Sequence, residues 1–286
     1  MTRRRRLFLL VLVAALAVGG VSQTASAQPA NPDLILATTT STQDSGLLDV
    51  LVPLFERQSG YRVKTISVGT GQAMALGERG EADVLLVHAP PSEKAWMAAG
   101  HGIERRLVMY NDFVVVGPQD DPAGLAGATS GVEVMQKIAA NAAPFLSRGD
   151  NSGTNQFELG IWKSAGIDPK GQPWYTEAGQ GMGQTLTIAS EKRAYTISDR
   201  GTFLAQQGAL DLSIQAQGYK NFLNVYHVMV VNPEKSASIN LEGARAFADF
   251  IVAPDTQGVI SQFGIARFGQ PLFFPAATLT DEDLGV

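Results

Sequence analysis

Hydroxyl and glycine residues cluster in four short stretches of the sequence, each directly before a segment with helical spacing. The N–H groups in the first turn of a helix have no partner inside the helix, and the helix dipole adds partial positive charge there. Glycine lets the backbone approach a bound atom closely, and hydroxyls add neutral donors. Loops of this kind that meet at one point form a cage for an anion. The four stretches are TTTST (38–42), SVGTG (67–71), SRGDNSGT (147–154) and GQGMG (179–183).

Arg148 brings a full positive charge to the third stretch. Its planar guanidinium matches the geometry of an oxyanion, and we expect Asp150 to pair with it or to cap the following helix. Taken singly, each stretch also fits an ordinary helix cap or turn. Four such stretches in one chain, all after strand-like segments, favour a binding site.

Residue types that carry out catalysis are sparse. The histidines are His88, His101 and His227, and the sequence contains no cysteine. It also lacks a G-x-S-x-G elbow, an HExxH motif and a Walker P-loop. A hydrolase built on Ser152 and His88 stays an alternative. The sequence therefore favours a binding protein without a catalytic residue, a cofactor or a metal cation.

The segments between these stretches alternate between strand and helix patterns. Strand-like residues 33–38, 62–68 and 83–87 enclose helical patterns at 46–58 and 72–79. This β-α-β-α-β order predicts an α/β protein with a doubly wound sheet. Further strands are predicted at 113–116, 145–146, 194–197 and 225–231, and further helices at 153–165 and 241–252. In an open α/β sheet the loops after the strands lie together at the carboxyl edge, where ligands bind.

The first 27 residues have the features of a cleavable signal peptide. Four arginines at 3–6 precede an apolar run at 7–18, and Ala25-Ser26-Ala27 fits a cleavage site. Cleavage would remove four of the 22 basic residues and none of the 27 acidic ones. We therefore expect an acidic, exported, periplasmic protein that binds no nucleic acid. With no cysteine it cannot carry a lipid anchor of the lipoprotein type.

Seven stretches in order resemble the substrate-binding proteins of tungstate-uptake ABC transporters. These are ATTTSTQDSGLLD (37–49), VGTGQA (68–73), ADVLLVHAP (82–90), MYNDFVVVGP (109–118), SRGDNSGTN (147–155), WYTEAGQGMGQTL (174–186) and AYTISDRGTFLA (194–205). The resemblance implies a two-lobed type II periplasmic binding fold, with a doubly wound mixed sheet and helices on both faces in each lobe. Lobe I is expected at 28–111 plus 219–286 and lobe II at 112–218, with crossovers near Tyr110–Asp112 and Gly218–Val225.

The resemblance also implies which residues contact the anion. Contacts from both lobes would let the bound anion bridge the cleft. Phosphate-binding proteins of the same superfamily place a carboxylate after the third strand, where this sequence has His88, a residue able to donate. The expected ligand contacts are Thr39, Thr40, Ser41, Gly69, Thr70, His88, Arg148, Ser152, Gly153 and Thr154.

A fully deprotonated oxyanion such as tungstate or molybdate has no proton to give, and a carboxylate would repel it. The sequence therefore ranks tungstate and molybdate above phosphate, and a phosphate- or sulfate-binding receptor of the same fold stays an alternative. Tungstate and molybdate have the same shape and charge, so the residues themselves do not distinguish them. Only the resemblance to tungstate-uptake proteins favours tungstate. We expect a monomer that passes its ligand to an ABC permease.

Overall fold

The computed structural model of the protein describes residues 29–286. The expected signal peptide, residues 1–27, lies outside the described residues, so its cleavage stays a prediction. Within residues 29–286, every helix is too short or too polar to cross a membrane.

Strands and helices alternate along the described chain. The strands are β1 (Asp33–Thr39), β2 (Arg62–Val68), β3 (Val84–Val87), β4 (Gly102–Gly117), β5 (Phe145–Ser147), β6 (Tyr175–Glu177), β7 (Thr196–Asp199), β8 (Ser213–Ala216), β9 (Leu223–Val231) and β10 (Phe274–Pro275). The α-helices are α1 (Thr40–Asp44), α2 (Leu48–Ser59), α3 (Thr70–Glu78), α4 (Pro90–Ala98), α5 (Gly131–Ala140), α6 (Gly153–Ser164), α7 (Met182–Lys192), α8 (Arg200–Gln206), α9 (Leu241–Val252), α10 (Pro254–Gln262), α11 (Ile265–Phe268) and α12 (Asp281–Leu284).

A mixed sheet in the order β10-β4-β9-β3-β1-β2 forms the first lobe. β1 pairs in parallel with β2 and β3, whereas β9 is antiparallel to both β3 and β4. Val84 and Leu86 pack on the face that contacts α2 and α9, and Leu85 and Val87 pack on the opposite face with Trp96 of α4. Helices therefore cover both faces, which explains why β3 is apolar without alternation.

The long strand β4 joins the two lobes. Its residues up to Asp112 pair with β9, and Phe113 to Gly117 pair with β7 and β8. β5 and β6 form a parallel pair, which a bridge between Phe145 and Tyr195 links to the start of β7. The expected two-lobed α/β fold with mixed sheets is confirmed. The lobe boundaries at 111/112 and 218/219 stay predictions, and both β4 and the chain leading into β9 run through them.

The strand β4 is much longer than the sequence predicts. β4 begins at Gly102, although only residues 113–116 have the pattern of a strand. The first half of β4 contains charged residues such as Arg105, which interrupt the apolar pattern of a strand. Arg105 is accommodated there because it pairs with the buried Glu93. The helix predicted at 46–58 is observed as α2, which continues through Pro53, since its buried residues Leu48, Leu51 and Phe55 hold it against the core.

Candidate oxyanion-binding site

All four glycine–hydroxyl stretches end at the N-terminus of a helix that follows a strand, and three of them contain expected ligand residues. Thr39 caps α1 by accepting from the Thr42 N–H at 3.3 Å, and Ser152 caps α6 by accepting from the Asn155 N–H at 3.2 Å. Gly69 precedes α3 in extended conformation without a side-chain cap. The first-turn N–H groups at these three points are donors suited to an anion.

Contacts across the cleft bring these N-termini together. The Gly153 N–H donates to Thr70 Oγ1 at 3.2 Å, and Arg148 Nη2 donates to Thr40 Oγ1 at 3.1 Å. A Cβ added to Gly153 would lie 2.7 Å from the carbonyl oxygen of His88. Glycine at 153 is therefore required for this close approach. The expected ligand residues of the two lobes thus lie side by side.

Arg148 is 2% exposed and held on three sides. Besides Thr40, Nη2 contacts Asp150 Oδ2 at 2.5 Å, and Nε donates to the Gln180 carbonyl at 3.3 Å. Asp150 also accepts from the Ser152 N–H at 3.1 Å, so it both pairs with Arg148 and orders the loop, as expected. These contacts fix the guanidinium plane.

Two buried donors at this point have no hydrogen-bond partner within residues 29–286. They are Arg148 Nη1 and Thr154 Oγ1. Leaving a buried donor unpaired costs about 1–3 kcal/mol, and more when the group is charged. Both are donors of the kind from which an oxyanion accepts hydrogen bonds. Because Asp150 offsets the charge of Arg148, amides and hydroxyls must supply much of the attraction.

His88 differs from its expected part as a donor to the anion. Its Nδ1 lies 2.8 Å from Asn224 Oδ1, and its Nε2 lies 3.1 Å from both Ser41 Oγ and Thr39 Oγ1. The Asn224 amide nitrogen is occupied by Asn111 and Tyr226, so Nδ1 carries the proton and Nε2 accepts. His88 therefore orients the hydroxyls, and a direct contact with the anion stays a prediction.

The charge state of His88 follows from its burial. Burial, followed by the nearby charge of Arg148, lowers the pKa of His88 to about 3. The ring is consequently neutral at physiological pH. A neutral acceptor that orients hydroxyls adds no charge to the site.

Asn111 and Asn224 were not expected in this region from the sequence, and neither was their link to Asp199. Asn111 Nδ2 donates to Asp199 Oδ2 at 3.4 Å, and Asn224 connects Asn111 to His88. Burial raises the pKa of Asp199 to about 6, and its Oδ1 has no partner among the described residues. The sequence signal for Asp199 is its position after a strand and before α8, the same position that the glycine–hydroxyl stretches have.

The contacts do not pair Ser152 with His88 as a nucleophile and its base. Ser152 Oγ caps α6, and His88 Nε2 faces Ser41 and Thr39 rather than Ser152. A nucleophile and its base must lie within hydrogen-bond reach. Within the described residues, no group of three or more His, Cys, Asp or Glu side chains could hold a metal ion.

Comparisons with known proteins agree with this geometry. A family model described as a PBP superfamily domain matches residues 23–255. The chain is 48% identical over 250 residues to the tungstate-binding protein TupA of Peptoclostridium acidaminophilum, with 87% of each chain covered. It is 49% identical to a putative ABC transporter anion-binding protein of Haloferax volcanii, with 88% of this chain and 75% of that one covered.

A solved structure is similar along most of the chain. It is the crystal structure of the tungstate ABC transporter from Geobacter sulfurreducens, which is 50% identical, with a TM-score of 0.74, 81% of this chain and 98% of that chain covered. The chain therefore belongs to the PBP superfamily and, within it, to the family that contains the tungstate-binding proteins TupA.

Proposed function

We propose that the protein is an extracytoplasmic receptor that captures tungstate, with molybdate second, and delivers it to an ABC permease. The observation that carries the proposal is a pair of buried donors, Arg148 Nη1 and Thr154 Oγ1, which have no partner within residues 29–286 and lie beside the N-termini of α3 and α6. These donors, the backbone amides and the hydroxyls suit a small oxyanion. An anion held by both lobes would favour the closed arrangement through differential contacts.

The state of the third-strand loop supports a deprotonated oxyanion. His88 stands where a phosphate receptor of this superfamily would have a carboxylate acceptor, and its Nε2 is engaged by hydroxyls. A tetrahedral dianion without a proton requires donors alone. Tungstate and molybdate both meet this condition, and the names of the similar proteins favour tungstate.

A receptor for phosphate is the second candidate, because one buried acceptor is available. Asp199 Oδ1 is unpartnered within the described residues and could accept the proton of a hydrogen phosphate. Sulfate, which is deprotonated like tungstate, would need no such acceptor. The four oxyanions together therefore test which groups of the site matter.

The remaining parts of the proposal concern transport. The expected leader at 1–27 would export the chain to the periplasm, where the closed, loaded receptor would dock on a permease. We propose a monomer that needs no cofactor and carries out no catalysis. Its acidic surface has little effect on capture, because salt screens charges beyond about 8–10 Å.

Calorimetric titration of the mature chain with tungstate, molybdate, sulfate and phosphate tests the proposal. We expect affinity, and the rise in melting temperature, to fall in the order tungstate, molybdate, then sulfate or phosphate. Tighter binding of phosphate than of tungstate would contradict the assignment. Release of product from esters or phosphomonoesters would instead indicate an enzyme.

A further inference from the structure

The fourth glycine stretch, residues 179–183, has no assigned contact with the anion. It ends at Gly181, which precedes α7 without a side-chain cap. Two first-turn amides of α7 nevertheless have acceptors, and both acceptors belong to the other lobe. The Gly183 N–H donates to Asp44 Oδ2 at 3.0 Å, and the Met182 N–H donates to Thr40 Oγ1 at 3.3 Å.

The glycines of this stretch allow α7 to approach α1. A Cβ on Gly181 would lie 3.0 Å from Thr40 Cγ2. A Cβ on Gly183 would lie 3.0 Å from Asp44 Oδ2 and 2.3 Å from Gln206 Nε2. Contacts of 3.0 Å are tighter than most real Cβ contacts, so a side chain at 181 or 183 would push Thr40 or Asp44 away, whereas Gln206 belongs to the same lobe and its side chain could move. Glycine at both positions therefore favours the contact of α7 with α1.

The same stretch also positions Arg148. The Gln180 carbonyl accepts from Arg148 Nε at 3.3 Å, and the Gly179 N–H donates to the Arg148 carbonyl at 2.8 Å. Arg148 and Met182 both donate to Thr40 Oγ1, which leaves the Thr40 hydroxyl hydrogen for another acceptor. The stretch thus links the expected anion contacts to the rim of the cleft.

We propose that Asp44 is an interlobe latch that holds the closed cleft without touching the anion. The proposal rests on the proposed function, since a latch matters for a cleft that opens and closes. A carboxylate at a helix N-terminus is favourable through the N–H donors and the dipole. The contact with Gly183 exists only while the lobes are together, so Asp44 stabilises that arrangement. Its loss acts on release more than on capture.

Rapid-mixing kinetics with tungstate tests the latch in the mature chain. We expect Asp44→Ala to raise the dissociation rate about tenfold and to leave the association rate within about twofold. Asp44→Asn keeps an acceptor oxygen but loses the charge, so its dissociation rate should lie between those of the parent chain and Asp44→Ala. Asp49→Ala is the matched control, because Asp49 contacts Gln43 of its own lobe.

The melting temperature of the unliganded variants separates a latch from a general structural role. An unchanged dissociation rate in Asp44→Ala, or a dissociation rate that rises together with a large fall in that temperature, would overturn the proposal. Failure of the parent chain to bind any of the four oxyanions would instead reject the proposed function.

A distance measurement tests the latch independently of any ligand. Because the chain has no cysteine, labels can be placed specifically through Arg57→Cys on lobe I and Lys163→Cys on lobe II. Asp44→Ala should shift the label distances toward longer values than in the labelled parent. Identical distance distributions in the labelled parent and in Asp44→Ala would reject the latch even if tungstate does not bind.

Discussion

Asn111 and Asn224 lie opposite each other on β4 and β9, and Asn224 Nδ2 donates to Asn111 Oδ1 at 2.9 Å. The pair stands where the chain passes between the lobes. Asn224 Oδ1 accepts from His88, and Asn111 donates to Asp199. A continuous chain of buried hydrogen bonds therefore runs from the hydroxyls beside His88 to the start of α8.

Asn224→Ala should lower the free energy of unfolding by about 2–6 kcal/mol. The change leaves the buried Nδ1–H of His88 and Asn111 Oδ1 without partners, and each unpaired group costs about 1–3 kcal/mol. Urea denaturation of the unliganded chain measures the loss. Asn221→Ala is the control, since Asn221 is exposed three residues earlier. Equal stability of the two variants would show that the chain of hydrogen bonds contributes little.

Asp199 and His88, the two titratable groups of this hydrogen-bonded chain, should have opposite effects on the pH dependence of stability between about pH 4 and pH 6. Burial raises the pKa of Asp199 from 3.8 to about 6, so the folded state binds a proton there before the unfolded state does, and acid stabilises the fold. Burial, with Arg148, lowers the pKa of His88 from 6.5 to about 3, so the unfolded state binds that proton first and acid destabilises the fold.

Variants should separate the two effects. Relative to the parent chain, Asp199→Asn should lose about 1.4 kcal/mol of stability per pH unit as the pH falls from 6 to 4, because the contribution of His88 is no longer offset. His88→Gln should gain by a similar slope over the same range. Denaturation curves at several pH values measure both slopes. A variant that follows the parent curve would show that the replaced group does not titrate as expected.

Arg148→Ala should weaken oxyanion binding by about 2–5 kcal/mol, the range for truncating one side of a buried charge pair. Arg148→Lys should recover part of the lost affinity because lysine keeps the positive charge. The recovery should be incomplete because an ammonium group lacks the planar fork of the guanidinium. Calorimetry measures both variants. Arg193→Ala is the control, since Arg193 makes an exposed pair with Asp120. Affinity that Arg148→Ala leaves unchanged would remove Arg148 from the site.

The sequence predicted the parts of the site that local chemistry encodes. The residue types of Ser152 and Gly153 alone predict a helix N-terminus. The strand before them predicts the edge of the sheet at which this N-terminus lies. Asn111 and Asn224 could not be predicted in this way, and neither could the link between Asn111 and Asp199. Asn111 and Asn224 meet because β4 pairs with β9 across more than a hundred residues of chain, and Asp199 lies near Asn111 because β4 also pairs with β7. Nothing local to an asparagine reports these pairings.

The fourth stretch shows the converse limit. Its glycines have the pattern of an anion-binding loop, yet the amides of Met182 and Gly183 face Thr40 and Asp44. A helix N-terminus accepts a carboxylate of the protein as readily as a free anion. Residue type alone therefore predicts what such a loop can bind but not which acceptor reaches it.

Thr154→Val should change stability and affinity in opposite directions. Valine has nearly the shape of threonine, and the Thr154 hydroxyl is buried without a partner among the described residues. Removal of the hydroxyl should raise the free energy of unfolding of the unliganded chain by about 1 kcal/mol, because the folded state then no longer buries an unpaired polar group. Loss of the donor should weaken tungstate binding about tenfold.

Urea denaturation without anion and calorimetry with tungstate measure the two effects of Thr154→Val. Thr187→Val is the control, because the Thr187 hydroxyl lies on an exposed part of α7 and donates to the Gly183 carbonyl at 3.2 Å. A joint fall of stability and affinity in Thr154→Val would mean that the hydroxyl supports the fold. A rise in stability with a fall in affinity would show that the hydroxyl destabilises the unliganded protein. The reason is that this buried donor gains a partner only when the anion is bound.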